Sequence, residues 1–123
     1  MLKIFKVVAL FLVSFLLFSA CSSDSSEPVA ETAAGKEIFE RSVIGSQTGC
    51  STCHSRTEGE EIVGPSLAGI GSRADSEYIK ESILEPDAEI AEGYNEGTMP
   101  DVWDDELTQQ QIDQLVAYLL TLK

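Results

Sequence analysis

The chain has 123 residues, enough for one domain, with 21 acidic against 8 basic side chains and a formal charge of −13 at pH 7. So acidic a chain is a poor partner for nucleic acid or an anionic membrane surface, and its charge fits either a basic protein partner or the solubility of an exported protein. The three cysteines and the single histidine are few, so their positions in the chain are informative.

The first predicted element is an export signal over residues 1–20. Lys3 and Lys6 form a short basic lead, and the apolar run that follows them is too short to span a bilayer comfortably. The stretch Leu17-Phe18-Ser19-Ala20-Cys21 resembles the lipobox of bacterial lipoproteins, in which cleavage leaves the cysteine as the lipid-modified first residue, although Phe18 replaces the usual leucine. An uncleaved anchor and a plain soluble export signal are the alternatives.

Residues 21–32 are predicted to form a flexible, acidic tether that begins at lipidated Cys21. The segment is polar and has no periodicity. Residues 1–20 hold two of the basic residues and none of the acidic ones, which leaves a formal charge of −15 on the mature chain. The tether would keep the domain beside a membrane, at the outer face of the cytoplasmic membrane or at a periplasm-facing leaflet.

The domain proper is predicted over residues 33–123, as helices and loops without a convincing strand. A first helix over residues 33–42 places Phe39 on the same face as Gly35, four residues earlier. Glycine lowers helix stability, so we expect Gly35 to let another helix approach closely.

Two further helices have recognisable ends. One covers about residues 75–84, with Asp75 at its start and Pro86 just beyond its end. The other follows a capping box formed by Thr108 and Gln111, and its apolar stripe continues to the C-terminus. These patterns predict an all-α domain.

The segment Cys50-Ser51-Thr52-Cys53-His54 contains the remaining two cysteines and the only histidine. Such a cluster could form a disulfide, a zinc site, a thioredoxin-like redox pair or a c-type haem attachment site. Zinc lacks a second ligand pair, and the redox pair lacks its usual strand and helix setting. The spacing favours haem, with two thioether bonds from Cys50 and Cys53 and with His54 as an axial ligand of the iron.

Met99 is the candidate for the second axial ligand. It is the only methionine after residue 20, and no second histidine is present. It stands in a turn-forming stretch, residues 95–100, where a thioether aimed at iron is favoured over the alternative of core packing.

From about Gly35 to Lys123 the sequence resembles the class I cytochrome c family in its small bacterial mono-haem form. The resemblance rests on the haem motif and on four further segments, which are Gly35 with Phe39, residues 64–73 (Gly-Pro-Ser-Leu-Ala-Gly-Ile-Gly-Ser-Arg), residues 97–100 (Gly-Thr-Met-Pro) and residues 115–119 (Leu-Val-Ala-Tyr-Leu). It implies an all-α fold of three to five helices around one covalently bound haem.

The resemblance also implies roles for single residues. The helix with Gly35 should cross the last helix near Tyr118, and the Pro65 carbonyl should accept a hydrogen bond from the ring of His54. Arg73 is expected near a haem propionate, with a solvated surface position as the alternative. Tyr94 and Trp103 are expected at the haem edge or bonded to a propionate, with core packing as the alternative.

The implied function is electron transfer rather than catalysis. Two axial ligands leave no open position on the iron, so a monomer tethered at Cys21 would carry single electrons between respiratory or photosynthetic complexes. The acidic segment over residues 56–63 favours redox partners with basic docking patches. The alternatives are a fixed haem-relay subunit of a larger oxidoreductase complex, and a haem sensor or peroxidase in which Met99 leaves the iron.

Overall fold

The computed structural model describes residues 27–123; the predicted export signal, Cys21 and the first part of the tether lie outside the described residues. Its elements are α1 (Glu27–Glu40), β1 (Val43–Ile44), β2 (Gln47–Thr48), α2 (Cys50–Cys53), α3 (Ile70–Arg73), α4 (Ser76–Leu84), α5 (Trp103–Glu106) and α6 (Gln109–Leu119). The predicted all-α class is confirmed. This part of the chain has six helices instead of three to five, since three of them have only four residues and show no periodic pattern.

Helices α1 and α6 pack against each other through Gly35. A Cβ atom at Gly35 would lie 1.9 Å from the carbonyl oxygen of Gln114, so only glycine permits this approach of the two backbones. The rings of Phe39 and Tyr118 pack beside the crossing with their centroids 5.7 Å apart. The close approach predicted for Gly35 and the crossing near Tyr118 are both confirmed.

Helix α1 begins earlier than the sequence pattern indicated. It starts at Glu27, so the prediction of a flexible tether is wrong for residues 27–32. Pro28 is compatible with the first turn of a helix, where its missing N–H has no partner to lose. The Thr32 hydroxyl donates to the carbonyls of Pro28 and Val29, at 3.0 Å each, which adds support within the helix.

The predicted starts of the other two long helices are confirmed. The Asp75 carboxylate caps α4 by accepting the backbone N–H of Tyr78 at 2.9 Å. Thr108 and Gln111 form the reciprocal capping box of α6. Helix α6 ends at Leu119, and the apolar stripe continues beyond it as the partly buried Leu122.

A short antiparallel hairpin was not predicted. Strands β1 and β2 have two residues each, too few for an alternating pattern to be visible in the sequence. The Ser46 N–H and hydroxyl both donate to the Glu106 carboxylate, at 3.2 and 2.5 Å, and so join the hairpin to α5. The Gly49 N–H donates to the Ser42 carbonyl at 2.9 Å, which sets the position where α2 begins.

One hydrophobic core joins the helices. Its buried residues come from α1, β1, α4, α5 and α6 and from Leu107, and they are Ile38, Phe39, Ile44, Ile79, Ile83, Trp103, Leu107, Ile112, Leu115, Val116, Tyr118 and Leu119. Within residues 27–123, none of the helices has both the length and the apolar character needed to cross a bilayer.

Candidate functional site

A cavity of about 540 Å³ lies against this core. Its volume is within the usual range of ligand pockets, roughly 300–1,000 Å³. Eight of the nine site residues predicted from the sequence line it, and they are Cys50, Cys53, His54, Pro65, Arg73, Tyr94, Met99 and Trp103. The ninth, Cys21, lies outside the described residues.

The single turn of α2 presents the two thiols and the imidazole to the cavity. The His54 N–H donates to the Cys50 carbonyl at 2.9 Å and closes the turn that begins after Gly49. Both thiols are free. Burial raises the pKa of Cys50 to about 11, so at neutral pH this side chain is a thiol and not a thiolate.

The orientation of the His54 ring is fixed from one side. Its Nδ1 donates to the Pro65 carbonyl oxygen at 2.9 Å, which is the hydrogen bond that the resemblance implied. With Nδ1 as the donor, Nε2 is the ring nitrogen available to bind a metal. The ring packs so closely on Gly64 that a Cβ there would lie 2.5 Å from the Cε1 atom of His54. Gly64 is held in turn by its N–H, which donates to the Cys53 carbonyl at 2.9 Å.

Arg73 supports the loop that carries Pro65. Its guanidinium donates to the carbonyl of Ser66, at 3.0 Å, and to the carbonyl of Ala68. Two backbone carbonyls that follow Pro65 are thereby tied to α3. A role near a haem propionate stays a prediction for Arg73, which lines the same cavity.

The loop between α4 and α5 brings Met99 to the cavity. Met99 is partly buried and packs against the core. The turn before it contains Gly97 at a φ of 72°, a left-handed conformation that favours glycine. The Gly97 N–H donates to the carboxylate of Asp87 at 2.9 and 3.2 Å. Asp87 was not predicted as a site residue.

Two polar atoms of cavity-lining residues are buried without a hydrogen-bond partner within residues 27–123. They are the hydroxyl of Tyr94 and the Nε1 of Trp103. Burial raises the pKa of Tyr94, and the charge of the nearby Glu61 carboxylate raises it further. Buried polar groups are almost always paired, so these two suit an acceptor group located in the cavity.

Sequence reasoning also missed the contacts that secure the chain just after His54. The Arg56 guanidinium donates to the Glu40 carboxylate at 2.8 Å and to the Tyr118 hydroxyl at 2.7 Å. The buried Ser55 hydroxyl donates to the Glu60 carboxylate at 2.5 Å. These partners lie 5 to 62 residues away, so no local pattern reveals them.

Residues 32–123 match the family model described as Cytochrome c. The match begins one residue before the predicted start of the domain. Comparison with curated proteins and with solved structures gives no match. The cavity, its two free thiols, its oriented imidazole and its two unpaired donors fit a covalently bound haem with carboxylate side groups. The chain therefore belongs to the cytochrome c family, in its class I form, and is a haem-based electron-transfer protein.

Proposed function

We propose that this protein is a membrane-tethered, monomeric carrier of single electrons between respiratory or photosynthetic complexes. The observation that supports this most directly is the composition of the cavity. The turn of α2, at one side of the cavity, supplies two thiols and an imidazole. A separate loop supplies the thioether of Met99.

Cys50 and Cys53 are the attachment points in this proposal. Each sulfur would bond to one carbon of a haem vinyl group, with the thiol proton going to the other carbon, which would give two thioethers. Their spacing of one helical turn places both sulfurs next to His54. His54 Nε2 and the Met99 sulfur would be the two side-chain atoms that hold the iron.

This ligand set defines the chemistry of the site. The haem supplies an iron that alternates between two oxidation states. Because His54 and Met99 would both hold the iron, no position would be left for substrate, and electrons would pass at the edge of the cofactor. A thioether ligand and an apolar lining favour the less charged, reduced form and raise the potential, whereas the acidic surface lowers it.

Tyr94 and Trp103 are proposed to bind the haem carboxylates. Their hydroxyl and indole N–H are buried donors without another partner in the described part of the chain. A carboxylate oxygen would satisfy each of them, because a hydrogen bond to a charged acceptor is stronger than one to a neutral acceptor. Arg73 would add a positive charge nearby.

The partner is proposed to be a redox protein with a basic docking patch. Acidic residues are concentrated in two segments near the cavity, with Glu58, Glu60 and Glu61 before Gly64 and with four further carboxylates over residues 87–96. No lysine or arginine occurs in residues 57–63 or 87–96. Opposite charge would increase the rate of productive encounter with such a partner.

Export and lipidation at Cys21 complete the proposal. A lipid anchor would confine the domain to the surface in which its partners lie and would raise its effective concentration there. Members of the family are generally exported, which agrees with the export signal predicted over residues 1–20.

The axial assignment is tested by the optical spectrum of Met99→Ala. The oxidised holoprotein should lose the weak red absorption of the sulfur-to-iron bond, whereas Val63→Ala, which shortens another cavity-lining side chain, should keep it. An unchanged spectrum for Met99→Ala would refute the ligand assignment. Extraction with acidified organic solvent tests the attachment, since pigment that washes out of the native protein is not bound through Cys50 and Cys53.

A further inference from the structure

The stretch that carries Met99 forms few backbone hydrogen bonds with the rest of the described chain. Within residues 91–101, the backbone forms two local turn hydrogen bonds, from Tyr94 N–H to the Ala91 carbonyl at 3.1 Å and from Thr98 N–H to the Asn95 carbonyl at 3.3 Å. Both of them join residues of the stretch to each other. They shape the loop locally and do not fix it in place.

One residue, Asp87, accepts the backbone hydrogen bonding between this stretch and the remainder of the described chain. The Gly97 N–H donates to both carboxylate oxygens of Asp87, at 2.9 Å for Oδ1 and 3.2 Å for Oδ2. Gly97 stands two residues before Met99. Its position therefore determines where the following residues leave the turn.

Asp87 is itself well placed to act as a fixed point. It follows Pro86, just after the end of α4, and a turn closed by the Ala88 N–H and the Glu85 carbonyl at 2.9 Å contains it. Helix α4 is held in the core by Ile79 and Ile83, which are 3% and 8% exposed. The carboxylate thus connects an exposed loop to a packed helix.

We propose that Asp87 is a positioning residue for the Met99 ligand. It lines the cavity as Met99 does, but it acts on the ligand through Gly97 and is not itself an iron ligand. By tying the turn before Met99 to the end of α4, it keeps the thioether in the cavity and slows the opening of the loop. This inference rests on the proposed function, because it takes Met99 as an axial ligand.

The strength of this connection follows from its chemistry. A hydrogen bond to a carboxylate is stronger than a neutral one, and here one N–H is shared between both oxygens. Asp87 is exposed, so competition with water reduces the gain. Loss of the contact should increase the population of the open loop about tenfold.

The test is the rate at which cyanide binds to the oxidised holoprotein. Cyanide reaches the iron only after Met99 leaves, so its binding rate reports loop opening. Asp87→Ala should bind cyanide about tenfold faster than the native protein, with a weaker sulfur-to-iron absorption band. Glu92→Ala is the matched control, because it removes the same charge from the same loop without removing a hydrogen bond, and its rate should be unchanged.

A conservative variant separates position from charge. Asp87→Asn keeps an acceptor oxygen and loses the charge, so its rate should fall between those of the native protein and Asp87→Ala. If Asp87→Ala does not retain haem, the comparison of Asp87→Asn with Glu92→Gln decides, and faster cyanide binding by Asp87→Asn supports the inference. Equal rates in the compared pair would overturn it.

Failure of this inference can be told apart from failure of the proposed function. If Met99→Ala abolishes the absorption band while Asp87→Ala behaves like Glu92→Ala, the ligand assignment stands and the role of Asp87 is refuted. If Met99→Ala leaves the band unchanged, the ligand assignment itself is refuted, and the role of Asp87 is refuted with it.

Discussion

The Tyr94 hydroxyl is a buried polar group without a hydrogen-bond partner within residues 27–123, which suits an acceptor in the cavity. A buried donor without a partner typically costs about 1–3 kcal/mol of stability. Trp103 presents the same situation with its indole N–H. Two such groups on one cavity are better explained by a carboxylated cofactor than by core packing alone.

Substituting Tyr94 by phenylalanine tests this explanation. The change removes only the hydroxyl. A haem carboxylate that had accepted its hydrogen bond would then have a less compensated negative charge, which favours the oxidised iron. The midpoint potential of the holoprotein should fall by about 30 mV, which corresponds to a roughly threefold change in a one-electron equilibrium. Spectroelectrochemical titration measures it.

Tyr118→Phe serves as the control for that experiment. It also removes a hydroxyl, but this one accepts a hydrogen bond from Arg56 and does not line the cavity. Its potential should be unchanged while its stability decreases. Equal shifts in the two variants would show that the Tyr94 hydroxyl has no specific connection to the haem.

Single residues differ in how visible their roles are in the sequence. Two cysteines and a histidine at haem spacing, and one methionine before a proline, could be assigned because few other chemistries use those residue types. Asp87 and Arg56 could not, because aspartate and arginine are common on surfaces and their partners lie 10 to 62 residues away. Only the folded chain reveals such pairs.

The crossing of α1 and α6 is the clearest case of packing overriding local preference at the level of elements. Alanine is about 1 kcal/mol more favourable than glycine inside a helix. At position 35, however, a Cβ would lie 1.9 Å from the Gln114 carbonyl oxygen and 2.9 Å from the Tyr118 Cβ. Backbone atoms cannot move aside as a flexible side chain can.

Gly35→Ala should therefore destabilise the protein although it raises helix propensity. The two helices must separate, and we expect the free energy of unfolding to fall by about 2 kcal/mol or more, since overpacking in a core usually costs about 1–3 kcal/mol. Denaturant titration of the holoprotein measures it. Glu37→Ala, an exposed change on the same helix, should be nearly neutral, and a stabilised Gly35→Ala would contradict the packing argument.

Element boundaries were predictable where a side chain marks them. Asp75 and Thr108 cap their helices through hydrogen bonds that span three residues, so the local sequence contains the whole signal. The start of α1 at Glu27 was missed because polar residues and a proline favour a loop interpretation. The hairpin depends on Ser46 meeting Glu106, a contact 60 residues apart.

At the scale of the whole molecule, most basic side chains of the described residues contact acidic side chains or backbone carbonyls of the same chain. Five of the six basic side chains within residues 27–123 contact a carboxylate or a backbone carbonyl, and they are Lys36, Arg56, Arg73, Lys80 and Lys123. The many exposed carboxylates are thus only partly neutralised. Docking by this surface should depend on charge and be sensitive to salt.

The last prediction separates local charge from total charge. Glu58→Gln with Glu92→Gln removes one charge from each of the two acidic segments near the cavity, and Glu37→Gln with Glu77→Gln removes two charges from helices α1 and α4. Both variants have the same net charge, so long-range attraction to a basic redox protein changes to a similar extent. Only the first pair should also lose contacts made at the docking surface.

We expect the first pair to slow electron transfer to a basic partner several-fold at low ionic strength and the second pair to have a smaller effect. Stopped-flow kinetics at increasing salt would measure both, and the difference should shrink as the screening length falls from about 30 Å at 0.01 M to about 8 Å at 0.15 M. If both variants react equally at every salt concentration, only the total charge matters, and the two acidic segments are not the docking site. Glu60 and Glu61 are left unchanged in this design, because the contact of Glu60 with Ser55 and the effect of Glu61 on the pKa of Tyr94 would mix a structural effect into the kinetics.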